Sequence, residues 1–472
     1  MTGLLGVLVL AAGPLCLGAV AARAIGLRWA DGLWHHAAAV WLLGCLGLGA
    51  LVQLALELHV PPGWWWPLPF AAAALLHASM RLCAVAAADV PGAQAAGRPG
   101  RGASSAGWHA FVLLGAGAVV LLAAGALDRP CLEGDEGNIW SLKAKSLLAD
   151  WPDAFAAAQV HNLHPDYPQL DPLLQAWTYA VLGGIEQSLV ANRWLVQGAA
   201  LGLWLLLCAA LRRQLPAWAA AGFAAVLLGE PVFHDLCRTA YADGMVAFGL
   251  LAAVHGFVGW RNSGAQPLLR LASGGLAFAL WSKNEPLLYV GCLGLATVLL
   301  RLGAGPRPSP GPRARLWWWG PSLLVVATTM LWNRRHGLHS DLLGHNPTGK
   351  SMFVLLVEQW RERVPVLLGE AWSAVCSPQH GHAGFAALLL VAVVRLRRLV
   401  GGALALPTLA LLGSWVGLHV VYVGSFLPLR FHLDTSYLRV TFQLLPAALF
   451  LLAAQLGAVA PRPAPRDTAV AP

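Results

Sequence analysis

Long apolar runs recur along this chain from residue 4 to about residue 458. A helix needs about 20 mostly apolar residues to cross the hydrocarbon of a bilayer. Hydrophobic residues make up 58% of the chain and charged residues only 11%, which is too little charge to cover a soluble domain. The sequence therefore predicts an all-α polytopic membrane protein. About thirteen transmembrane helices are expected, over 3–22, 36–56, 66–87, 109–127, 189–211, 215–232, 243–260, 268–282, 286–302, 316–332, 384–400, 403–425 and 438–458.

The positive charges lie between the apolar runs. The net charge is +9, and cytoplasmic loops of membrane proteins are enriched in Lys and Arg. We therefore expect the arginine-rich loops inside and the acidic loops outside, and no nucleic acid as a partner. The arginine clusters are Arg23/Arg28, Arg98/Arg101, Arg212/Arg213, Arg261/Arg270, Arg301/Arg307/Arg313/Arg315, Arg395/Arg397/Arg398 and Arg462/Arg466.

This topology divides the chain into segments. Residues 1–88 are expected to form an N-terminal three-helix membrane segment, and 89–108 a cytoplasmic linker rich in Gly, Ala, Pro and Arg. The main membrane domain then covers 109–460, with two long outer loops at 128–188 and 333–383. The Pro-rich tail at 461–472 is expected to be disordered.

One apolar stretch is too short for a full crossing. PLLQAWTYAVLGG, residues 172–184, would be ~20 Å long as a helix, against ~30 Å of hydrocarbon. If it crossed, every later arginine cluster would lie outside. We therefore predict a half-spanning helix in the outer leaflet, surrounded by protein.

Two outer-loop segments have the apolar spacing of helices that lie on a membrane surface. Packing of these stripes against the protein core is the alternative. The first stripe is Trp140, Ala144, Leu147 and Trp151, and the second is Phe353, Leu356, Val357, Trp360, Val364 and Leu367. The same side holds Cys131, Cys237 and Cys376, and the sequence does not determine whether any two of them pair.

Ionisable residues from distant parts of the chain are expected to share the outer face. Such groups near the ends of spans are costly unless they are solvated or paired, so together they mark a candidate site. Helix capping and lipid headgroup contacts are the structural alternatives. The residues are Asp135, Glu136, Asp166, Asp171, Asp235, Asp243, Lys283, Glu285, Arg334, Arg335, His432, Asp434 and Arg439.

Asp135 and Glu136 follow a predicted span and open a predicted helix. Asp135 could therefore cap that helix with its carboxylate. As an ionised carboxylate it could also accept a proton from a hydroxyl, act as a nucleophile or bind a ligand. Glu136 is expected to hold either Asp135 or a nearby amide.

Three strings resemble motifs of the GT-C superfamily of membrane glycosyltransferases: GDEGNIWSLKAKSL at 134–147, HPDYPQLDPLLQAW at 164–177 and YADG at 241–244. The likeness covers about 109–450 and is strongest to family 39, the protein O-mannosyltransferases and the aminoarabinose transferase of lipid A. It implies transfer of a sugar from a polyprenyl-phosphate carrier to an acceptor at the outer face, with inversion. The acceptor, whether protein, lipid or polysaccharide, is left open.

The resemblance also implies roles for individual residues. Asp135 corresponds to the catalytic base, Glu136 to its partner and Asp243 to a second catalytic acidic position. An insertion in HPDYPQLDPL leaves the loop histidine as either His161 or His164. WSKNEPLL at 281–288 resembles a KNEG element common in bacterial members, with Pro286 in place of Gly. FHLDTSYLRVTFQLLP at 431–446 resembles a late SxxR element that precedes the final span. The candidate substrate-binding residues are His164, Tyr167, Lys283, Glu285, Arg334, Arg335, His432 and Arg439.

Inverting transfer from a phosphate carrier needs a base on one side of the anomeric carbon and positive charge on the other. Asp135 offers the base, and arginine suits bidentate contact with phosphate. Each cation has a structural alternative. For Arg334 and Arg335 it is a lipid headgroup contact, for Lys283 a salt-bridged cluster with Glu285, and for Arg439 neutralisation of Asp434.

Asp135 and Asp243 could both bind Mg²⁺ or Mn²⁺ through oxygen, and the sequence leaves a divalent cation open. The competing functions are a transporter or flippase of lipid-linked sugars and a non-catalytic envelope assembly subunit. Transporters tend to have repeats and charges at mid-membrane. Here the apolar runs contain almost no acidic residues, and the charges gather at one face. The exceptions inside the apolar runs are His77, Arg81, Arg193 and His255. The Ala- and Gly-rich composition, with Arg preferred over Lys, predicts a bacterial inner membrane and a site facing the periplasm.

Overall fold

The chain is helical throughout the part that the computed structural model describes, and no β-strand occurs there. The described residues are 4–29, 32–87, 106–126, 135–149, 164–185, 191–304, 311–340, 346–377, 380–396 and 402–457. The α-helices are α1 (Leu4–Ala24), α2 (Leu33–Glu57), α3 (Leu68–Ala87), α4 (Ala106–Ala124), α5 (Leu142–Ala149), α6 (Leu170–Leu182), α7 (Trp194–Arg212), α8 (Ala217–Gly229), α9 (Pro231–Arg238), α10 (Asp243–Ser263), α11 (Gln266–Ser282), α12 (Pro286–Ala304), α13 (Pro312–Arg335), α14 (Met352–Cys376), α15 (Ala383–Val394), α16 (Ala405–Val423), α17 (Leu429–His432), α18 (Leu438–Phe442) and α19 (Leu445–Gly457).

Each predicted span overlaps a described helix, and two spans, 215–232 and 438–458, extend over two helices each. Among the described residues, six helices are long and apolar enough to cross a membrane, and the number becomes eight if each of two bent pairs forms one span. The pair α8–α9 bends by 65°, and the helical segment 429–442 bends by 41° against α19. Pro231 lies at the first bend and Glu230 before it has an extended backbone, so the helix cannot continue through this point. The chain is thus a helical protein of multi-pass membrane type.

The N-terminal three-helix segment packs directly on the rest of the bundle. Helices α1 and α2 approach closely because Gly18 carries no side chain, and a Cβ there would lie 1.8 Å from the Val40 carbonyl oxygen. Helix α2 in turn packs against α6 and α7, and Trp34 Nε1 donates to His109 Nδ1 of α4 over 3.2 Å. Most of the predicted linker, 88–105, and the predicted tail, 461–472, lie outside the described residues.

Helix α6 is the short helix predicted to stop halfway, and nearly all of its residues are buried. Just before it, Asp166 accepts a hydrogen bond from Asn284 over 2.9 Å. In the middle of the helix, Trp177 Nε1 donates to the Trp65 carbonyl over 3.3 Å. The charge pattern assigns both contacted segments, 58–67 and 283–285, to the outer face. Helix α6 therefore contacts two segments of one predicted face, and its half-spanning placement stays a prediction.

The first predicted surface stripe is wrong as a membrane-facing stripe. Trp140, Ala144 and Leu147 are at most 1% exposed and pack inside the protein, while Trp151 lies outside the described residues. Helix α5 has only 8 residues and packs against α6. Its apolar side therefore forms part of the protein core. This is the packing alternative.

The second predicted stripe is divided between protein and surroundings. Leu367 is 2% exposed and Leu356 and Val364 pack against a small core of their own. Phe353 and Val357 are more than 70% exposed on the same 25-residue helix, α14. One side of α14 therefore packs on the bundle while a neighbouring side presents apolar side chains outward.

The thiols of Cys237 and Cys376 are not paired within the described residues; Cys237 is buried and Cys376 is exposed. Cys131 lies outside the described residues.

Candidate functional site

Two carboxylates from distant parts of the chain meet at one guanidinium. Arg439 Nη2 lies 2.5 Å from Asp135 Oδ2, and Arg439 Nη1 lies 3.6 Å from Asp243 Oδ2. The side chain of Asp135 is 43% exposed, whereas those of Arg439 and Asp243 are 16% and 1% exposed. The arrangement thus has an accessible carboxylate in front of a buried one, with a shared cation between them.

Lys283 extends this cluster behind Asp243. Its Nζ lies 3.1 Å from Asp243 Oδ1 and 2.8 Å from Glu285 Oε1. Gln443 also donates to Asp243 Oδ1, over 2.7 Å. Because Oδ1 accepts both of these hydrogen bonds, the Asp243 carboxylate is fixed with Oδ2 toward Arg439. We refer to Asp135, Asp243, Lys283, Glu285 and Arg439 as the charged cluster.

The cluster realises one structural alternative and departs from two others. Lys283 and Glu285 are indeed salt-bridged, as the competing account for Lys283 proposed. Arg439 contacts Asp135 and Asp243 instead of neutralising Asp434. Asp135 makes no side-chain capping hydrogen bond to the helix that follows it, so its carboxylate is directed to Arg439 and solvent.

Two π-helices lie next to residues of the cluster, one beside Asp135 and the other beside Arg439. The first, Glu136–Ser141, begins directly after Asp135. The second, Leu433–Tyr437, lies between His432 and Arg439. π-Helices are rare and occur frequently at functional sites, where the wider turn redirects side chains.

Glu136 connects the two aspartates but does not face Arg439. Its Oε1 accepts the Ala240 backbone N–H over 2.8 Å and lies 3.1 Å from Arg193 Nε. Ala240 precedes Asp243 by three residues. Glu136 thus binds a nearby amide, which is one of the two expectations for it. Its buried carboxylate connects the segment that carries Asp135 to the segment that carries Asp243.

Aromatic rings flank the charged cluster on two sides. Trp140, Tyr167 and His164 form a stack, with ring centroids 5.5 Å and 4.5 Å apart, and Lys283 Nζ lies 5.5 Å from the Tyr167 ring. On the other side, His432 stacks on Tyr422 at 4.4 Å. His432 interacts electrostatically with His164, Lys283 and Asp135. His164 therefore lies at the cluster, whereas His161 falls outside the described residues.

Burial and neighbouring charges shift the pKa values of Lys283 and of the adjacent Tyr167. Burial opposes protonation of Lys283, but the carboxylates of Asp243 and Glu285 outweigh it and raise the lysine pKa above its ordinary value. Burial, reinforced by Glu285 and Asp166, raises the pKa of Tyr167 well above 10. At neutral pH the cluster thus holds a charged ammonium beside a neutral phenol.

Lys143 holds the loop that carries His164 and Tyr167. Its Nζ donates to the carbonyls of His164, Pro165 and Tyr167 over 3.0–3.2 Å. Three carbonyl acceptors match the three N–H donors of an ammonium group. Burial lowers the pKa of Lys143 to about 7, against the attraction of Asp166 and Asp171. Lys143 is therefore a structural residue of the site, one that the sequence did not single out.

Replacing Lys143 by Met should destabilise the protein by about 1–3 kcal/mol, because three partly buried carbonyls lose their donor. We expect a lower unfolding temperature of the detergent-solubilised chain and faster amide hydrogen exchange at 164–169. The control is Lys145→Met, since Lys145 makes no hydrogen bond or ion pair among the described residues. Equal unfolding temperatures and equal exchange in the two variants would contradict this role.

Several buried polar atoms near the cluster accept no hydrogen bond from the described residues. They are Asp243 Oδ2, Glu285 Oε2, Asn333 Oδ1 and His432 Nδ1. Glu285 also lines a small cavity together with Tyr289, Ser414 and Gln443. Buried acceptors of this kind are normally satisfied, because leaving one unpaired costs about 1–3 kcal/mol. A ligand with several O–H or N–H donors matches them.

The arrangement does not fit a divalent cation bridging Asp135 and Asp243. The Arg439 guanidinium occupies the position between the two carboxylates, and Mg²⁺ or Mn²⁺ would have to displace it.

Four outer-face residues lie apart from the cluster. Arg335 pairs with Glu57 over 2.6 Å and both Arg334 and Arg335 are exposed. Asp171 is fully buried and accepts a hydrogen bond from Gln175 over 2.7 Å. Asp434 is exposed. The expected phosphate contacts of Arg334 and Arg335 are thus not part of this geometry.

Sequence reasoning missed Tyr241 and Gln443. The Arg439 guanidinium carbon lies 4.2 Å from the Tyr241 ring centroid, and Gln443 fixes Asp243. Gln443 was detectable as a lone amide inside the apolar stretch 440–454. Tyr241 had no such signal, because a tyrosine near the end of a span is normal in membrane proteins.

No protein-family model, no curated protein and no solved structure matches this chain.

Proposed function

We propose that this protein is a glycosyltransferase that moves a sugar from a polyprenyl-phosphate carrier to an acceptor at the outer face of the membrane, with inversion. The observation that carries the proposal is the meeting of Asp135, Asp243 and Arg439 beside Lys283. Inverting transfer requires a carboxylate base and cations for a leaving phosphate within one site. The sequence resemblance implies the same reaction.

Asp135 is assigned as the base. It is the accessible carboxylate of the cluster, so an acceptor hydroxyl can approach it from solvent. As the hydroxyl oxygen forms its bond to the anomeric carbon, its proton passes to Asp135, and the bond from that carbon to the phosphate oxygen breaks. A positioned base of this kind contributes about 10²–10⁴ in rate.

Arg439 and Lys283 are assigned to the carrier phosphate. The negative charge that develops on the leaving phosphate is stabilised by cations already fixed in the protein. Arg439 offers several N–H donors in a planar fork, which suits phosphate. When the phosphate takes part of this fork, the hold of Arg439 on Asp135 weakens and Asp135 becomes a better base.

The buried acceptors are assigned to sugar hydroxyls. Glu285 Oε2 and His432 Nδ1 accept no hydrogen bond from the described residues, and a sugar carries several O–H donors. The stack of Trp140, Tyr167 and His164 adds aromatic rings beside these acceptors. This combination of a few oriented polar groups and aromatic rings is typical of small-molecule sites.

We further propose that thirteen helices cross a bacterial inner membrane, that α6 stops halfway, and that the site faces the periplasm. In a variant whose native Cys16, Cys131 and Cys376 are serine, Asn138→Cys should react with a membrane-impermeant thiol reagent in intact spheroplasts. Ser263→Cys should react only after the cells are permeabilised, because the positive-inside rule assigns its loop to the cytoplasm. Labelling of Ser263→Cys alone, or of both positions, in intact spheroplasts would contradict the topology.

The experiment that tests the function compares envelope lipids, glycans and proteins by mass spectrometry in cells with and without the gene. Loss of one sugar from one class of molecule, restored by the wild-type gene, supports transfer and identifies the acceptor. A transporter of lipid-linked sugars predicts a different result, since the carrier-linked sugar itself would accumulate on the cytoplasmic side while the purified protein transferred nothing. An unchanged envelope would contradict both.

A further inference from the structure

The π-helix that follows Asp135 is held at both ends by two consecutive residues. At its beginning, Arg193 Nε lies 3.1 Å from Glu136 Oε1. At its end, Asn192 Nδ2 donates to Ser141 Oγ over 3.0 Å. Asn192 and Arg193 belong to a short 3₁₀ turn that leads into α7. Both residues are almost fully buried, so these contacts are shielded from water.

Each member of this pair is itself fixed by further contacts. Asn192 Nδ2 also donates to Gln175 Oε1 over 2.7 Å, and Ser141 Oγ donates to the same oxygen over 2.9 Å. Arg193 Nη1 donates to the Ala126 carbonyl over 2.9 Å and to the Arg238 carbonyl over 3.2 Å. The turn thus connects α4, the end of α9 and α6 to one six-residue π-helix. Several buried hydrogen bonds that share these side chains restrict the movement of the turn and of the π-helix.

The location of Arg193 is unusual for a residue with only a packing role. A guanidinium at the end of a membrane helix is costly to bury. The Arg193 guanidinium is buried and contacts Glu136 and two backbone carbonyls. Glu136 in turn binds the Ala240 amide, which lies three residues before Asp243. Through Glu136, the Arg193 guanidinium therefore helps to fix the segments that carry Asp135 and Asp243, although it contacts neither aspartate.

We propose that Asn192 and Arg193 are positioning residues, which hold the π-helix in the register that aims Asp135 at Arg439. A regular α-helical turn from Asp135 onward would rotate the following residues and release the contacts of Ser141 and Glu136. The inference rests on the proposed function for its biological meaning, but its geometry is measurable without any substrate.

The test uses a thiol in place of the Asp135 carboxylate. In the full-length chain with Cys16, Cys131 and Cys376 changed to serine, Asp135→Cys is alkylated with iodoacetamide over a range of pH. A thiol beside a guanidinium has a pKa below the ordinary value of about 8.5. We expect a rate–pH midpoint about 0.5–1 unit lower than 8.5, and its return toward 8.5 when Arg439→Gln is added. That return shows that the thiol reports on Arg439.

Adding Asn192→Ala or Arg193→Gln should move the midpoint toward 8.5, as Arg439→Gln does, because the thiol no longer faces the guanidinium. Arg193→Lys should give an intermediate value, and Asn192→Asp serves if Asn192→Ala does not fold. The control is Thr178→Val, which should leave the midpoint unchanged. Thr178 is buried on α6, and its hydroxyl bonds the Leu174 carbonyl and no other group among the described residues.

Two results would overturn the inference. One is a low midpoint retained in folded Asn192 and Arg193 variants, and the other is an equal shift caused by Thr178→Val. The thiol experiment tests the positioning role independently of whether the protein transfers a sugar. A thiol that responds as expected in a protein that transfers no sugar supports the positioning role and counts only against the transferase.

Discussion

Asp135→Asn should lower sugar transfer by about 10²–10⁴-fold, because the amide keeps the shape of the side chain but cannot take the proton of the acceptor. The amide oxygen still accepts a hydrogen bond from Arg439, so we expect normal expression and little change in carrier binding. The measurement is the initial rate of product formation by the purified protein, with the donor and acceptor that the envelope comparison identifies.

The matched control is Asp434→Asn. Asp434 is an exposed aspartate close to Arg439 in sequence and makes no ion pair among the described residues. We expect its rate to stay within about twofold of the wild type, as is normal for a surface substitution. If Asp135→Asn transferred sugar at the wild-type rate, Asp135 would not be the base, and the mechanism would have to pass to another carboxylate.

Arg439→Ala should lower kcat/KM for the carrier-linked donor by about 10²–10³-fold. The change removes the cation proposed to face the leaving phosphate and leaves Asp243 with less compensation, and losing one partner of a buried charge pair costs about 2–5 kcal/mol. KM for the acceptor should change much less, since the acceptor meets the exposed carboxylate. The donor and acceptor concentrations are therefore varied separately.

Two further variants distinguish a phosphate contact from a general loss of charge. Arg439→Lys keeps the charge without the planar fork and should recover part of the activity. Arg335→Ala removes an exposed arginine that pairs with Glu57 and should leave donor use unchanged. Equal losses toward donor and acceptor in Arg439→Ala would count against contact with the phosphate.

The membrane class followed from the sequence because apolar length and charge placement act locally. Each predicted span needs only its own apolar run to be recognised, and each overlaps a described helix, while the number of helices that cross stays a prediction. The shortness of 172–184 likewise indicated a helix that does not cross, and α6 has the same 13 residues of helix, shifted by two positions. Surface stripes were less predictable, since apolar spacing is the same whether a helix packs on lipid or on protein. Trp140 and Leu147 pack on protein.

The candidate site divides in the same way. The order and sidedness of Asp135, Asp243, Lys283 and Arg439 were available from the sequence, because chain topology assigns loops to faces. What they contact was not available. Asp135 and Arg439 are separated by 304 positions, and no local pattern states that Arg439 will choose Asp135 and Asp243 over the nearer Asp434. The Lys143 contacts with three carbonyls were hidden for the same reason.

The sequence by itself determined that the chain is a bundle of apolar helices with its ionisable side chains gathered at one predicted face, because hydrophobic length and charge placement are properties of short segments. Only the tertiary structure decided which of those side chains form one cluster, how two π-helices present them, and that Glu136, Asn192 and Arg193 lie behind the cluster as supports. Those choices depend on which helices pack side by side, and packing brings together residues that the linear chain keeps far apart.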